Sequence, residues 1–229
     1  MVASHISFAV AACLGLSAQQ RYDPLHKPQE SVNEIVSEMM KVATSQQQRI
    51  GPYTVQRRYT VNNSHMKSAA VLQVLWTYAP GLGKEFKVLA SEGASGLARR
   101  ALIEVLTTEA KNSRLNTDPA RISPAHYDFQ LIALEQNDVK LRLTPKQKTK
   151  YLVDGYAFVT RPDSALIRVE GTTSKRLSFW VAKADVVQEF ANYAGFWLPY
   201  KTKSTASVRF IGKTELTIEA QDYHFVNPP

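Results

Sequence analysis

The sequence predicts an α+β fold: a long curved antiparallel β-sheet, a half-open barrel of about ten strands, with two early helices covering its concave face. Two observations carry this. Two stretches with helical apolar spacing occur near the front of the chain, at 30–50 and 95–114. Everything after the second reads as short alternating runs joined by links too brief for parallel crossovers. A third observation supports it. The 229 residues are 44% hydrophobic and 21% charged, which suits a globular chain that buries a sizeable core without staples.

Residues 1–18 are expected to be a signal peptide. Ile6 to Ala18 are apolar or small, and Gln19 and Gln20 follow, with cleavage expected near Ala18. Cys13, the single cysteine, offers an alternative. In "VAAC" it would be the lipidated first residue of a mature chain. Residues 19–29, "QQRYDPLHKPQ", read as a tether. Residues 30–229 show no composition shift and are read as a single domain.

The first helix carries Val32, Ile35, Val36, Met39 and Ala43 on one face. Ser31 is its N-cap, and Glu34 completes a capping box. Gly51-Pro52 ends it. A meander follows: Tyr53 to Val61, Ala69 to Ala79 and Lys84 to Ser91, joined by "NNSHMKS" and "PGLG". The second helix, "SGLARRALIEVLTTEAKNSR", is read with Leu97, Ala101, Leu102, Val105 and Leu106 as its apolar face. Pro119 and Pro124 mark its exit. The remaining strands are read at 127–135, 139–144, 151–160, 165–172, 177–182, 187–193, 196–209 and 213–225.

Alternation assigns an inward, apolar row to Leu72, Val74, Trp76 and Tyr78, then Tyr156 and Phe158, Ile167 and Val169, and Leu216 and Ile218. These are the candidate ligand-binding residues. The row describes either a hollow able to hold an acyl chain or a filled core, and alternation does not distinguish them.

Catalytic signatures are missing. The histidines (His5, His26, His65, His126 and His224) form no HxxxH, HxH or HxxE spacing, so no metal site is expected. There is no GxSxG, SxxK, GxGxxG or Walker A loop, so the chain is expected to be neither an enzyme nor a cofactor protein. A net charge of +8 favours acidic surfaces. No RNP-like stretch is present, so nucleic acid is not an expected partner. An anionic membrane surface is compatible with the charge.

Four stretches in the C-terminal half occur in a recognisable order: "ISPAHYDFQLIALEQ", "LRLTPKQKTKYLVDGYAFV", "ALIRVEGTTSKRLSFWVAKADVV" and "GFWLPYKTKSTASVRFIGKTELTIEAQDYHF". Together they resemble exported bacterial proteins described as outer-membrane lipoprotein-sorting-like, of the lipoprotein-carrier (LolA/LolB-like) superfamily. The resemblance spans Tyr53 to Phe225 and is densest from Tyr151 onward. It implies a curved antiparallel sheet with an apolar hollow under helices. It also implies a lipid or lipidated protein as partner, a periplasmic or outer-membrane-associated location, and no covalent chemistry. Carriers of this superfamily latch their lid helices with an arginine near the start of the sheet, where this chain has both Arg57 and Arg58. The hairpin departs from the pattern, with "GYAFVT" where tryptophan and aspartate in "WVD" are expected. A monomer that binds an apolar ligand is the expected form. An envelope structural or interaction protein with a filled core is the alternative, followed by an uncharacterised hydrolase.

Overall fold

Short links between consecutive alternating runs force neighbouring strands to run antiparallel, and the sheet follows chain order almost throughout. A computed structural model describes residues 31–226 apart from 66, 67, 94, 95, 180 and 211. The leader, the tether and Cys13 lie outside the described residues. The elements are α1 (Val32–Arg49), β1 (Tyr53–Asn63), β2 (Ala70–Ala79), β3 (Gly83–Glu92), α2 (Gly96–Arg114), β4 (Tyr127–Leu134), β5 (Asp138–Pro145), β6 (Val153–Thr160), β7 (Leu166–Thr173), β8 (Val181–Tyr193), β9 (Phe196–Val208) and β10 (Gly212–Phe225). All ten strands form one sheet in the order β3-β2-β1-β10-β9-β8-β7-β6-β5-β4. The first and last strands pair side by side, while β3 and β4 remain unjoined edges. The predicted fold class is therefore the observed one: α+β, antiparallel and unclosed.

α1 starts as the sequence indicates. Glu34 N–H donates to Ser31 Oγ, and Ser31 N–H donates to Glu34 Oε2 at 2.8 Å. The reciprocal pair satisfies two donors that a helix start otherwise leaves open. Ser31 N–H and the Ser31 hydroxyl, both donating to Glu34 Oε2, hold the carboxyl below its ordinary pKa.

One predicted strand is corrected. Residues 177–182 do not form a strand of their own. Leu177 N–H bonds to Ala182 O and Ser178 N–H to Val181 O, so the segment folds back as a turn. The next strand absorbs its end and runs from Val181 to Tyr193. The apolar face of α2 is also rotated from the predicted one. Leu102, Leu106 and Ala110 are buried, whereas Ala101 is exposed and Val105 is 42% exposed. The Leu97 side chain lies outside the description.

Each helix covers one half of the sheet and builds its own core. Under α1, Ile35, Val36 and Met39 pack on Tyr127, Leu141, Leu143, Ala157 and Val159 of β4–β6. Under α2, Leu102, Leu106 and Ala110 pack on Val55, Tyr59, Leu72, Val74 and Trp76 of β1 and β2. The middle strands β8 and β9 lie between the two clusters. Their residues are mostly half-buried, with Ala184 and Phe196 the fully buried ones.

Bulges bend the ladder at Val55/Gln56, Gln73/Val74, Leu131/Ala133, Phe158/Val159 and Glu189/Phe190. The backbones approach most closely where Gly155 of β6 faces Gly171 of β7. A Cβ on Gly155 would lie 2.0 Å from Glu170 O, and one on Gly171 would lie 2.4 Å from Asp154 O. Only two glycines allow the backbones to approach this closely.

Gly155→Ala should therefore lower stability by about 1–3 kcal/mol, because the added methyl meets backbone rather than a movable side chain. Gly51→Ala, with nothing within 4 Å of its added carbon, should be close to neutral. Urea unfolding of the two variants measures the contrast. Equal midpoints would show that the strand pair does not need the glycines.

Candidate apolar ligand site

The ten candidate residues do not form one surface. Leu72, Val74 and Trp76 of β2 face inward and are at most 1% exposed. They are packed solid beneath α2, with Trp76 Nε1–H donating to Tyr59 Oη at 2.9 Å. Tyr78, Leu216 and Ile218 are half-buried against the same cluster. Val169 is buried in the other cluster, under α1. Ile167 is the residue skipped by the β6–β7 register at its bulge.

Tyr156 and Phe158 require a correction, because they lie on the outer face of the sheet. The inward positions of β6 are Val153, Gly155, Ala157 and Val159, all buried. Tyr156 and Phe158 alternate with these. They are covered by cations: Lys140 Nζ sits 4.3 Å from the Tyr156 ring centre, and the Arg168 guanidinium 5.6 Å from that of Phe158. Aromatic rings on an exposed sheet face gain from cation–π contact and from the aliphatic stems that shelter them.

An open apolar space occurs elsewhere, between the C-terminal half of α1 and strands β7–β9. Its volume is about 240 Å³. Met39, Met40, Val42, Ala43 and Ile50 line one wall, and Leu166, Phe190, Phe196, Trp197 and Leu198 the other. The arrangement follows from the sequence of α1. Its apolar face runs from Val32 to Ala43, yet its buried residues end at Met39. Past that turn the helix still presents apolar side chains, but Ala43 is exposed because the sheet beneath has curved away. Two contacts hold this end of the helix over the gap. Trp197 N–H donates to Gln46 Oε1 at 2.6 Å, and the Arg49 guanidinium lies 5.7 Å from the Phe196 ring centre.

A larger groove of about 820 Å³ runs along the other flank of α1, beside Tyr127, Asp128 and Lys146. Asn33, Ser37, Lys41, Thr44, Ser45 and Gln48 form much of its wall. Val36, Met40, Pro124 and Phe129 stand among them, so this wall is mixed, and its polar share fits an acyl chain less well than the smaller space does.

The second helix is fastened by charge. Arg57 is 8% exposed, and its Nη1 donates to both Glu109 oxygens, at 2.9 and 3.1 Å. Lys84 Nζ donates to Glu109 Oε1 at 2.8 Å. The Arg57 guanidinium also lies 5.5 Å from the Trp76 ring centre. Of the two arginines at the start of the sheet, Arg57 thus ties the helix, and half-buried Arg58 alternates to the other face. Burial alone would raise the Glu109 pKa, but Arg57 and Lys84 outweigh it and hold it at about 2. Burial works against the Arg57 charge, and Glu109 together with Tyr59, Tyr223 and Tyr53 more than offsets it, raising that pKa well above its ordinary value. Burial likewise pushes the Tyr53 hydroxyl up to about 12.

Glu109→Ala should cost about 3–5 kcal/mol, because it leaves Arg57 buried and uncompensated. The double variant Arg57→Met, Glu109→Leu should recover most of that loss in urea unfolding. The pH dependence has a defined sign. The folded-state pKa of Glu109 lies below its unfolded value of about 4.5, so its contribution is complete above that pH and fades as pH falls towards 2. On the order of 3 kcal/mol should be lost across that window. An unfolding curve for Glu109→Ala with the same acid dependence as the parent would remove this account.

No family model matches the chain, and no curated protein matches it. Solved structures do. An outer membrane lipoprotein-sorting protein domain from Vibrio parahaemolyticus is 13% identical, covering 85% of this chain and 94% of its own, with a TM-score of 0.41. A DUF1329 family protein from Desulfovibrio piger is 10% identical, covering 86% and 94%, with a TM-score of 0.44. A LolA superfamily protein from Nitrosomonas europaea is 12% identical, covering 88% and 96%, with a TM-score of 0.40. In structure, then, this chain is similar over most of its length to LolA superfamily and lipoprotein-sorting domains, the group its C-terminal motifs resemble.

Proposed function

We propose that the protein is a non-catalytic cell-envelope carrier that shelters an acyl chain, of a lipid or a lipidated protein, between α1 and strands β7–β9. The observation that carries this is the mismatch between α1 and its core. The apolar face of the helix continues for a full turn beyond the packed cluster and overlooks an unfilled apolar space. Exposed apolar surface facing a gap loses both dispersion contacts and burial, so an apolar guest gains what the protein's own side chains leave unused.

The size sets the terms. At about 240 Å³ the space is smaller than the ~300–1,000 Å³ of most ligand pockets. It holds part of an acyl chain, and a longer one requires the Gln46 end of α1 to lift. At about 0.8 kcal/mol per buried CH₂, ~8 methylenes contribute roughly 6 kcal/mol before ordering costs. Met39 and Met40, unbranched and polarisable, adapt their shape to such a guest.

The non-catalytic part of the reading rests on how the chain uses its carboxylates. Glu109, the carboxylate shifted furthest among the described residues, is held ionised by two cations and occupied as a tie between helix and sheet. A group fixed at about 2 is a poor proton donor or acceptor near neutral pH. Export and a periplasmic or outer-membrane-associated location belong to the same proposal, and they rest on the leader-like residues 6–18. Among the described residues no helix is long and apolar enough to cross a membrane. The alternative of a structural envelope protein draws on the filled half beneath α2.

Native mass spectrometry after gentle purification tests the proposal. A co-purifying lipid of defined mass should be seen, and Phe190→Asp or Leu198→Asp should remove it. Both side chains are only half-buried, so the fold should survive with its circular dichroism unchanged. Trp76→Asp, in the solid half, should instead unfold the protein. A folded parent chain that neither carries lipid nor takes up a fluorescent fatty acid would overturn the carrier reading in favour of the structural one.

A further inference from the structure

Every odd-numbered strand runs in one direction, so the links β5–β6, β7–β8 and β9–β10 emerge at the same rim of the sheet. These links read "KQKTKYL", "SKRLSFW" and "RFI", with several cations, exposed aromatics and no acid. The links at the opposite rim carry Glu135 and Asp163 against a single Arg161.

Several strand cations are paired with acids across the ladder, as with Lys201–Glu219 and Lys203–Glu215, each at 2.9 Å. At the rim, Lys148, Lys150, Lys175 and Arg176 are exposed and form no ion pair among the described residues. They stand around a groove of about 590 Å³ between the β5–β6 and β7–β8 links. The groove is built rather than loose. Ser174 Oγ donates to Thr149 O at 2.8 Å and accepts from Thr149 N–H at 3.0 Å, and Ser174 N–H donates to Leu152 O at 2.7 Å. Beside it, Phe179 is 67% and Phe210 84% exposed, both within cation–π distance of Arg209. Tyr151 is 40% exposed.

We infer that this rim docks on an anionic phospholipid bilayer, with Phe179 and Phe210 entering the headgroup–acyl boundary and the four unpaired cations meeting lipid phosphates. The chemistry is complementary at both levels. Cations near an anionic leaflet gain Coulomb energy, and apolar rings gain by leaving water for the headgroup–acyl boundary. The fit to a polyanion such as a polysaccharide is poorer, because exposed phenylalanines have no apolar layer to enter there. The rim lies at the end of the sheet away from the β6–β7 and β8–β9 turns that flank the acyl space, so docking does not depend on that site being occupied. It goes beyond the carrier reading, and the test below involves no bound lipid cargo.

The test is co-sedimentation of the full chain with vesicles of phosphatidylcholine alone and of phosphatidylcholine with phosphatidylglycerol. Binding should require the anionic lipid and should weaken steeply as salt is raised, since screening shortens to about 3 Å at 1 M. The variant Lys148→Gln, Lys150→Gln, Lys175→Gln, Arg176→Gln should lose binding by roughly five-fold per charge at low salt. The pair Phe179→Ser, Phe210→Ser should lose roughly ten-fold or more with all charges kept. The salt titration of the parent chain needs no variant to fold. Equal binding to neutral vesicles, salt-independent binding, no effect of the phenylalanine pair, or retention on heparin without binding to anionic vesicles would each overturn the inference.

Discussion

The α2 half of the molecule depends on one buried charge. Arg57 sits on the concave face of β1, where an isolated guanidinium would be prohibitively desolvated. Its presence dictates its surroundings. Glu109 must approach from the helix side, which fixes the rotation of α2 and sends Leu102, Leu106 and Ala110 to the sheet. Lys84 supplies a second cation, so that a carboxylate shared between them stays ionised. The tyrosines Tyr53, Tyr59 and Tyr223 complete the polar shell within an otherwise apolar cluster. A helix held only by apolar contacts could slide or roll over a curved sheet. A charge-assisted pair, here one guanidinium nitrogen shared between both carboxylate oxygens, is directional, so it specifies position where hydrophobic burial specifies only area.

With α2 fixed on one half, the unfilled space falls on the other. The sheet is too broad for two helices of 18 and 19 residues to cover, and each forms its own cluster. α1 is secured at its start by the Ser31–Glu34 box and at its end by the Gln46–Trp197 hydrogen bond. Between those points its inner face changes from core to canopy at Met39. One neutral hydrogen bond is a weak latch, worth about 1 kcal/mol. The buried ion pair under α2 is stronger. The end of α1 over the gap is thus the more weakly fastened, by that bond and the Arg49–Phe196 contact.

Much of this was legible in the sequence. The capping box, the helix-ending Gly51-Pro52 and the period-two runs locate the elements because each is a local signal with a local cause. Sidedness was less legible. In "VDGYAFVT" the large rings seem the natural inward residues on hydrophobicity alone, yet Gly155 and Ala157 occupy the inner face. The reason is spatial: the strongly bent β6–β7 pair leaves no inner volume at Gly155, and cations from β5 and β7 shelter the rings outside. The inner residues of β2 were correctly placed, but whether they line a space or fill one depends on α2, which alternation does not report. The residues around the actual gap had a signal that hydrophobic periodicity contains but does not rank. Met39-Met40 lies on a helix face, and "FANYAGFWL" forms an apolar hairpin that reaches the edges of both cores, Phe190 at one and Tyr193 and Leu198 at the other, and leaves a gap between them.

Charge is sorted by the same geometry. A net charge of +8 says nothing by itself about where the excess lies. In an antiparallel ladder, side chains directly opposite are about 5 Å apart, so unpaired cations on neighbouring strands would repel one another. Several strand cations are met by acids on the neighbouring strand, Glu219 directly opposite Lys201, and Glu215 and Asp154 on the diagonal from Lys203 and Arg142. Links are free of that constraint, and Lys148, Lys150, Lys175 and Arg176 collect there without acids beside them. They gather at the rim formed by the ends of odd strands, while the opposite rim remains mixed. An even coat of lysine for solubility would show no such polarity, because solvation is indifferent to which end of the sheet carries the charge. A one-sided basic rim bearing exposed phenylalanines has the asymmetry of a surface that meets another surface.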